Sequence, residues 1–120
     1  MIKILLLVLM AVLPAEDRYV DASKVRYGSL SSVKWETKPA VGIIRSKVVY
    51  RAIQEYQTII KEGIKPGTAR YTQLMSACTK RYRAAVRAVA MSRYVLIVEQ
   101  GGVSDYPTTD VTEKVIKELK

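Results

Sequence analysis

Tyr71, Met75, Cys78, Tyr82, Ala85 and Val89 recur at steps of four, three, four, three and four, an apolar seam held for nearly three heptads. A strand shows alternate residues on one face, so this spacing specifies a helix, of about 24 residues and ~36 Å at the usual rise. A second stripe precedes it: Val49, Ile53, Tyr56 and Ile60 fall at steps of four, three and four, and Gly63 supplies a stop. Between the two runs GIKPGT sets Pro66 and Gly67 in a turn and Thr68 at an N-cap. Helices joined by so short a turn lie antiparallel, so residues 47–93 read as a helical hairpin. Its core positions are small, Cys78 and Ala85 among them, and such a pair needs a base or sister chains to hold it.

The flanks supply a base. AVGII, Ala40 to Ile44, precedes the hairpin and YVLIVEQ, Tyr94 to Gln100, follows it; the returning hairpin brings these two apolar, β-branched runs together as neighbours in a sheet. Gly101-Gly102 permits a tight turn into a third strand over Val103 to Tyr106. Asp110 with Glu113 three residues on has capping-box spacing and opens a final helix, whose apolar face is Val111, Val115, Ile116 and Leu119. The expected fold class is α+β: a small β body of three or so strands plus a C-terminal helix, with a projecting antiparallel helical hairpin. Exposed edges and a thin core argue for oligomerisation.

The first fifteen residues, MIKILLLVLMAVLPA, carry Lys3, an apolar run from Ile4 to Leu13, then Pro14 and Ala15. This is the layout of a secretory signal peptide cut after Ala15, with a buried element or an uncleaved anchor as the alternative. The run is shorter than the ~20 apolar residues that span a bilayer. Export places the lone Cys78 in an oxidising compartment, either as a small buried apolar residue or as an intermolecular partner.

With no histidine and one cysteine, the chain lacks the inventory for zinc sites and for Ser-His-Asp or Cys-His catalysis. The expectation is a protein that is not an enzyme, with no cofactor, no metal and no small-molecule substrate. The net charge of +9 favours an acidic or polyanionic partner. It is unevenly spread, since residues 45–93 hold eleven Lys and Arg against Glu55 and Glu62 alone.

The stretch YVLIVEQGGVSDYPTTDVTEKVIKELK, Tyr94 to Lys120, resembles the carboxy-terminal end of the Skp/OmpH family of periplasmic chaperones, and VGIIRSKVVY, Val41 to Tyr50, is similar to that family's first strand entering its first long helix. The resemblance implies a homotrimer with a central β body, formed here by residues 40–46 and 94–120, and one arm per chain over residues 47–93. It also implies a periplasmic holdase that binds unfolded outer-membrane or envelope proteins without ATP. The arms are much shorter than in typical members. Residues 16–39 form an extension of unknown role without a counterpart there, although YVDASKV, Tyr19 to Val25, offers an alternative first strand.

On this reading the client- and anion-binding candidates are Arg51, Lys61, Lys65, Arg70, Lys80, Arg81, Arg83, Arg87 and Arg93, attracting unfolded acidic chains or an anionic lipid or lipopolysaccharide surface. Tyr and Met side chains add adaptable apolar contact. A plain solvated face stands beside this reading. So do two further functions: an anionic-surface or nucleic-acid binder using the basic helix of residues 80–93, with KRYRAAVR at its start, and a structural envelope component.

Overall fold

The computed structural model describes residues 19–91 and 93–119; the signal-peptide reading of residues 1–15 lies outside them. The chain is α+β, with four α-helices and one mixed four-stranded sheet among the described residues. The strands are β1 (Val25–Tyr27), β2 (Val41–Ile44), β3 (Leu96–Glu99) and β4 (Thr109–Asp110), in the order β1-β3-β2-β4. The helices are α1 (Ser46–Arg51), α2 (Gln54–Glu62), α3 (Ala69–Ala90) and α4 (Thr112–Glu118).

The two runs flanking the helices do become neighbours. β2 and β3 are parallel, with Val41 opposite Leu96 and Ile44 opposite Glu99. Bonds from Val95 N–H to the Ala40 carbonyl (3.0 Å) and from Gln100 N–H to the Ile44 carbonyl (2.9 Å) extend the pairing at both ends. Alternation along β3 then decides what each face covers. Ile97 points to the helices, into a core with Ile44, Val49, Ile53, Tyr82, Val86 and Val115. Leu96 and Val98 point the other way, into a second cluster with Val20 and Val41.

Residues 19–39 cover that second face, so the extension is built into the sheet. β1 lies antiparallel to β3, and Tyr19, Leu30, Val33 and Trp35 pack over Leu96 and Val98. The approach is close at Gly28, whose φ is +92° and where an added Cβ would stand 2.1 Å from the Val95 carbonyl oxygen. Only glycine fits that turn.

The third strand falls elsewhere than expected. Val103 makes only an isolated bridge to Val20, because Gly101 (φ +91°) and Gly102 turn the chain across to the extension rather than back along β3. β3 has no free edge for a strand returning along it, since β1 and β2 already pair with its two sides. The last strand is β4, parallel to β2. Asp110 belongs to β4 and stands one residue ahead of the α4 N-cap, Val111; its Oδ1 accepts the Thr112 N–H at 2.9 Å. No hydrogen bond from Glu113 completes a capping box among the described residues.

The predicted first helix is also broken. Ile53 is extended (φ −84°, ψ 129°) between α1 and α2, and the break rotates α2 out of phase with α1. Ile59 therefore turns inward and Ile60 is 63 % exposed, against the stripe read from the sequence. Gly63 ends α2 in the left-handed region, and Ile64 N–H reaches back to the Ile59 carbonyl at 3.0 Å. Thr68 caps α3 as expected, its Oγ1 accepting the Tyr71 N–H at 3.2 Å. Contacts from Tyr50 to Tyr82, Glu55 to Arg81 and Glu62 to Arg70 run in opposite directions along the chain, so α3 lies antiparallel to α1 and α2.

Candidate functional site

α3 positions the candidate side chains because it buries only one side. Cys78, Tyr82, Ala85, Val86, Val89 and Ala90 face the core. Tyr71 and Met75, expected in the same seam, are only half-buried. They line a shallow groove of about 710 Å³ with Lys80 and Arg83. A second groove of about 440 Å³ continues from Arg83 past Arg87 to Met91, which is 59 % exposed. Together they form a track over residues 71–91, ~30 Å long at the helical rise.

Charge on this track is uncompensated. No carboxylate lies within ion-pair distance of Lys80, Arg83 or Arg87 among the described residues. Arg83 and Arg87 stand one turn apart, and a like-charge pair at that spacing destabilises a helix by about 0.2–0.5 kcal/mol. The arrangement thus does nothing for the fold. Methionine and tyrosine beside it give deformable apolar contact.

The other candidates separate into three groups. Arg70 and Arg81 are engaged with carboxylates, at 2.8 Å to Glu62 and 3.0 Å to Glu55, and hold the helices together rather than waiting for a ligand. Lys61 and Lys65 are exposed at the far end of the helical pair, and Arg93 is exposed just beyond α3. Arg51 lies away from the track, in a cleft of about 620 Å³ with Arg26, Arg45 and Lys47. Arg45 and Lys47 are sequence neighbours of Arg51, whereas Arg26 comes from β1 and is brought there only by the fold.

A polar network fixes the base of the helices. Glu99, at the end of β3, accepts from Ser46 N–H (2.9 Å), from the Ser46 hydroxyl and from Arg26 Nε (3.1 Å). Burial would raise its pKa, but the two Ser46 bonds and the Arg26 guanidinium outweigh that and hold it below the usual carboxylate range. The Ser46 hydroxyl also bonds the Tyr82 phenol, whose pKa burial pushes up. β1, β3, α1 and α3 therefore meet at one serine and one carboxylate. Nearby the buried Thr112 hydroxyl accepts the Arg45 N–H at 3.0 Å, tying α4 to the end of β2.

Cys78 is fully buried and burial raises its thiol pKa, which keeps it protonated and fits the small-apolar reading. On the opposite side of the sheet Tyr19, Trp35 and Tyr106 form a triangle with ring centroids 4.9–5.3 Å apart. Their contacts with one another anchor the extension. Among the described residues no group of His, Cys, Asp and Glu could hold a metal ion, and no helix is long and apolar enough to cross a membrane. No family model, curated protein or solved structure matches the chain.

Proposed function

We propose that this protein is an ATP-independent holdase of the cell envelope, acting in the periplasm on unfolded outer-membrane or envelope proteins. The observation that carries the reading is the track along α3, where Lys80, Arg83 and Arg87 stand without carboxylate partners beside Tyr71, Met75 and Met91. Such a surface attracts acidic segments through long-range charge and then holds them by shallow apolar contact with no fixed pocket. Many weak contacts along one strip suit a protein that must release what it holds.

Shape supports the same reading. The radius of gyration is 18.4 Å, against about 13 Å for a compact domain of similar size. Nearly every residue from Ile60 to Arg70 is exposed, which supports reading the turn between α2 and α3 as the free end of a projecting hairpin arm. Holding by the track needs no sister chains. Residues 19–39 supply an edge strand and apolar cover, so the exposed edges and thin core that argued for oligomerisation weigh less, and a homotrimer rests on the Skp/OmpH resemblance alone.

The test is suppression of aggregation. An outer-membrane β-barrel protein diluted from urea should scatter less light when the protein is present, and the protection should fade as salt screens the basic face. Equal scattering with and without it would remove the proposal.

A further inference from the structure

The α3 track has an order of its own. Tyr71, Met75, Thr79, Arg83, Arg87 and Met91 follow at steps of four, one ridge that runs up the helix to its C-cap. Thr72, Ser76, Ala84 and Ala88 run beside it, exposed and short, so the ridge borders a shallow trough interrupted at Lys80. Side chains one turn apart on such a ridge stand ~6 Å from each other. In an extended chain alternate residues share a face at a spacing of ~6.6 Å. The two repeats match, so an extended segment laid on the ridge offers one side chain to each of its positions. The ridge also winds by ~40° per step, passing nearly halfway round the helix between Met75 and Met91. A straight helix crosses such a path at one place, whereas an extended chain follows it.

We propose, on the reading of α3 as the client surface, that the track selects extended segments in one register: acidic side chains two residues apart on Arg83 and Arg87, and apolar side chains of the same face on Met75 and Met91. Charge complementarity fixes the middle of the segment, because no carboxylate of the described residues pairs with Arg83 or Arg87. The seat at Arg83 has further donors. Arg83 and Thr79 also line a pocket of about 400 Å³ with Ser46, Tyr50 and Tyr82. Tyr50 OH and Thr79 Oγ1 stand 3.3 Å apart, and a bond between them uses one of their two hydroxyl protons, which leaves the other for a carboxylate. Arg26 lines the same pocket but is neutralised by Glu99, so Arg83 is the cation there that is free to pair. A uniformly basic surface is the competing account; it attracts negative charge in any order, whereas this ridge runs from apolar through cationic to apolar.

The experiment compares two labelled peptides of about nine residues and identical composition, binding to the full chain by fluorescence anisotropy. In the first, alternate positions read apolar, serine, glutamate, glutamate, apolar; in the second, each glutamate is moved by one residue onto the opposite face. The first should bind at least about tenfold more tightly, the effect of one charge-assisted hydrogen bond or more. Arg83→Gln, at an exposed position without a carboxylate partner, should weaken the first peptide about tenfold, leave the second nearly unchanged and keep the melting temperature. Equal binding of the two peptides, binding of neither, or an equal loss of both in Arg83→Gln overturns the register. Tighter binding of a peptide with its glutamates four residues apart, the helical spacing, overturns it in favour of a helical partner. In each of these cases, continued suppression of outer-membrane-protein aggregation leaves α3 as the client surface and removes its selectivity alone. Loss of peptide binding together with absent suppression removes both.

Discussion

Glu99 remains ionised at the foot of the helices because Ser46 and Arg26 surround it with donors, and the consequence is a pH dependence of known sign. Its folded pKa is depressed, so its contribution to stability is complete above the ordinary carboxylate range and is lost as pH falls through the folded value. Urea midpoints should therefore drop between about pH 5 and about pH 3, and Glu99→Gln should flatten that drop at the expense of stability at neutral pH. Ser46→Ala leaves the carboxylate and the Tyr82 phenol each short of a partner, and should cost about 1–3 kcal/mol by denaturant titration. Gly28→Ala should cost more than ~2 kcal/mol, because the site combines positive φ with a backbone clash. Gly67→Ala, also at φ +92° but facing open space, should cost only about 1 kcal/mol.

At the scale of elements, the contrast between Ile59 and Ile60 shows what the sequence could and could not convey. Val49, Ile53, Tyr56 and Ile60 are in helical phase only if α1 and α2 are continuous, and nothing in RSKVVYRAIQEYQTIIKEG marks a break, having neither glycine nor proline before Gly63. The break comes from tertiary packing, which places Ile53 at 2 % exposure in an extended conformation. Ile59→Ala should accordingly cost about 2–4 kcal/mol by denaturant titration and Ile60→Ala less than about 0.5 kcal/mol. A continuous helix would reverse that order. The turn at Gly63, the cap at Thr68 and the pairing of the two flanking runs were legible because each rests on local chemistry or on apolar pattern. The place of Val25–Tyr27 in the sheet was not, since a three-residue strand with an exposed centre carries no periodic signal. The basic character of α3 was legible too, but which of its cations are free depends on carboxylates in another helix: Glu55 engages Arg81 and Glu62 engages Arg70. Arg26 was missed because only the folded chain brings it to Arg45, Lys47 and Arg51, which lie within one seven-residue segment.

For the molecule as a whole, the sheet carries cover from its own chain on both faces, helices on one side and residues 19–39 on the other. The fold should then be complete in one chain, with a melting midpoint that does not move over a hundredfold range of concentration, roughly the span that exposes assembly-dependent stability. A midpoint rising with concentration would mean that sister chains finish the core. The central claim is that clients are held on the exposed side of α3, and it is tested most directly by site-specific photo-crosslinking to an unfolded outer-membrane protein. A crosslinker at Ala84, exposed between Arg83 and Arg87, should capture the client, while one at Glu118, exposed on α4, should capture little. Equal capture at the two positions, or capture at Glu118 alone, would contradict the account.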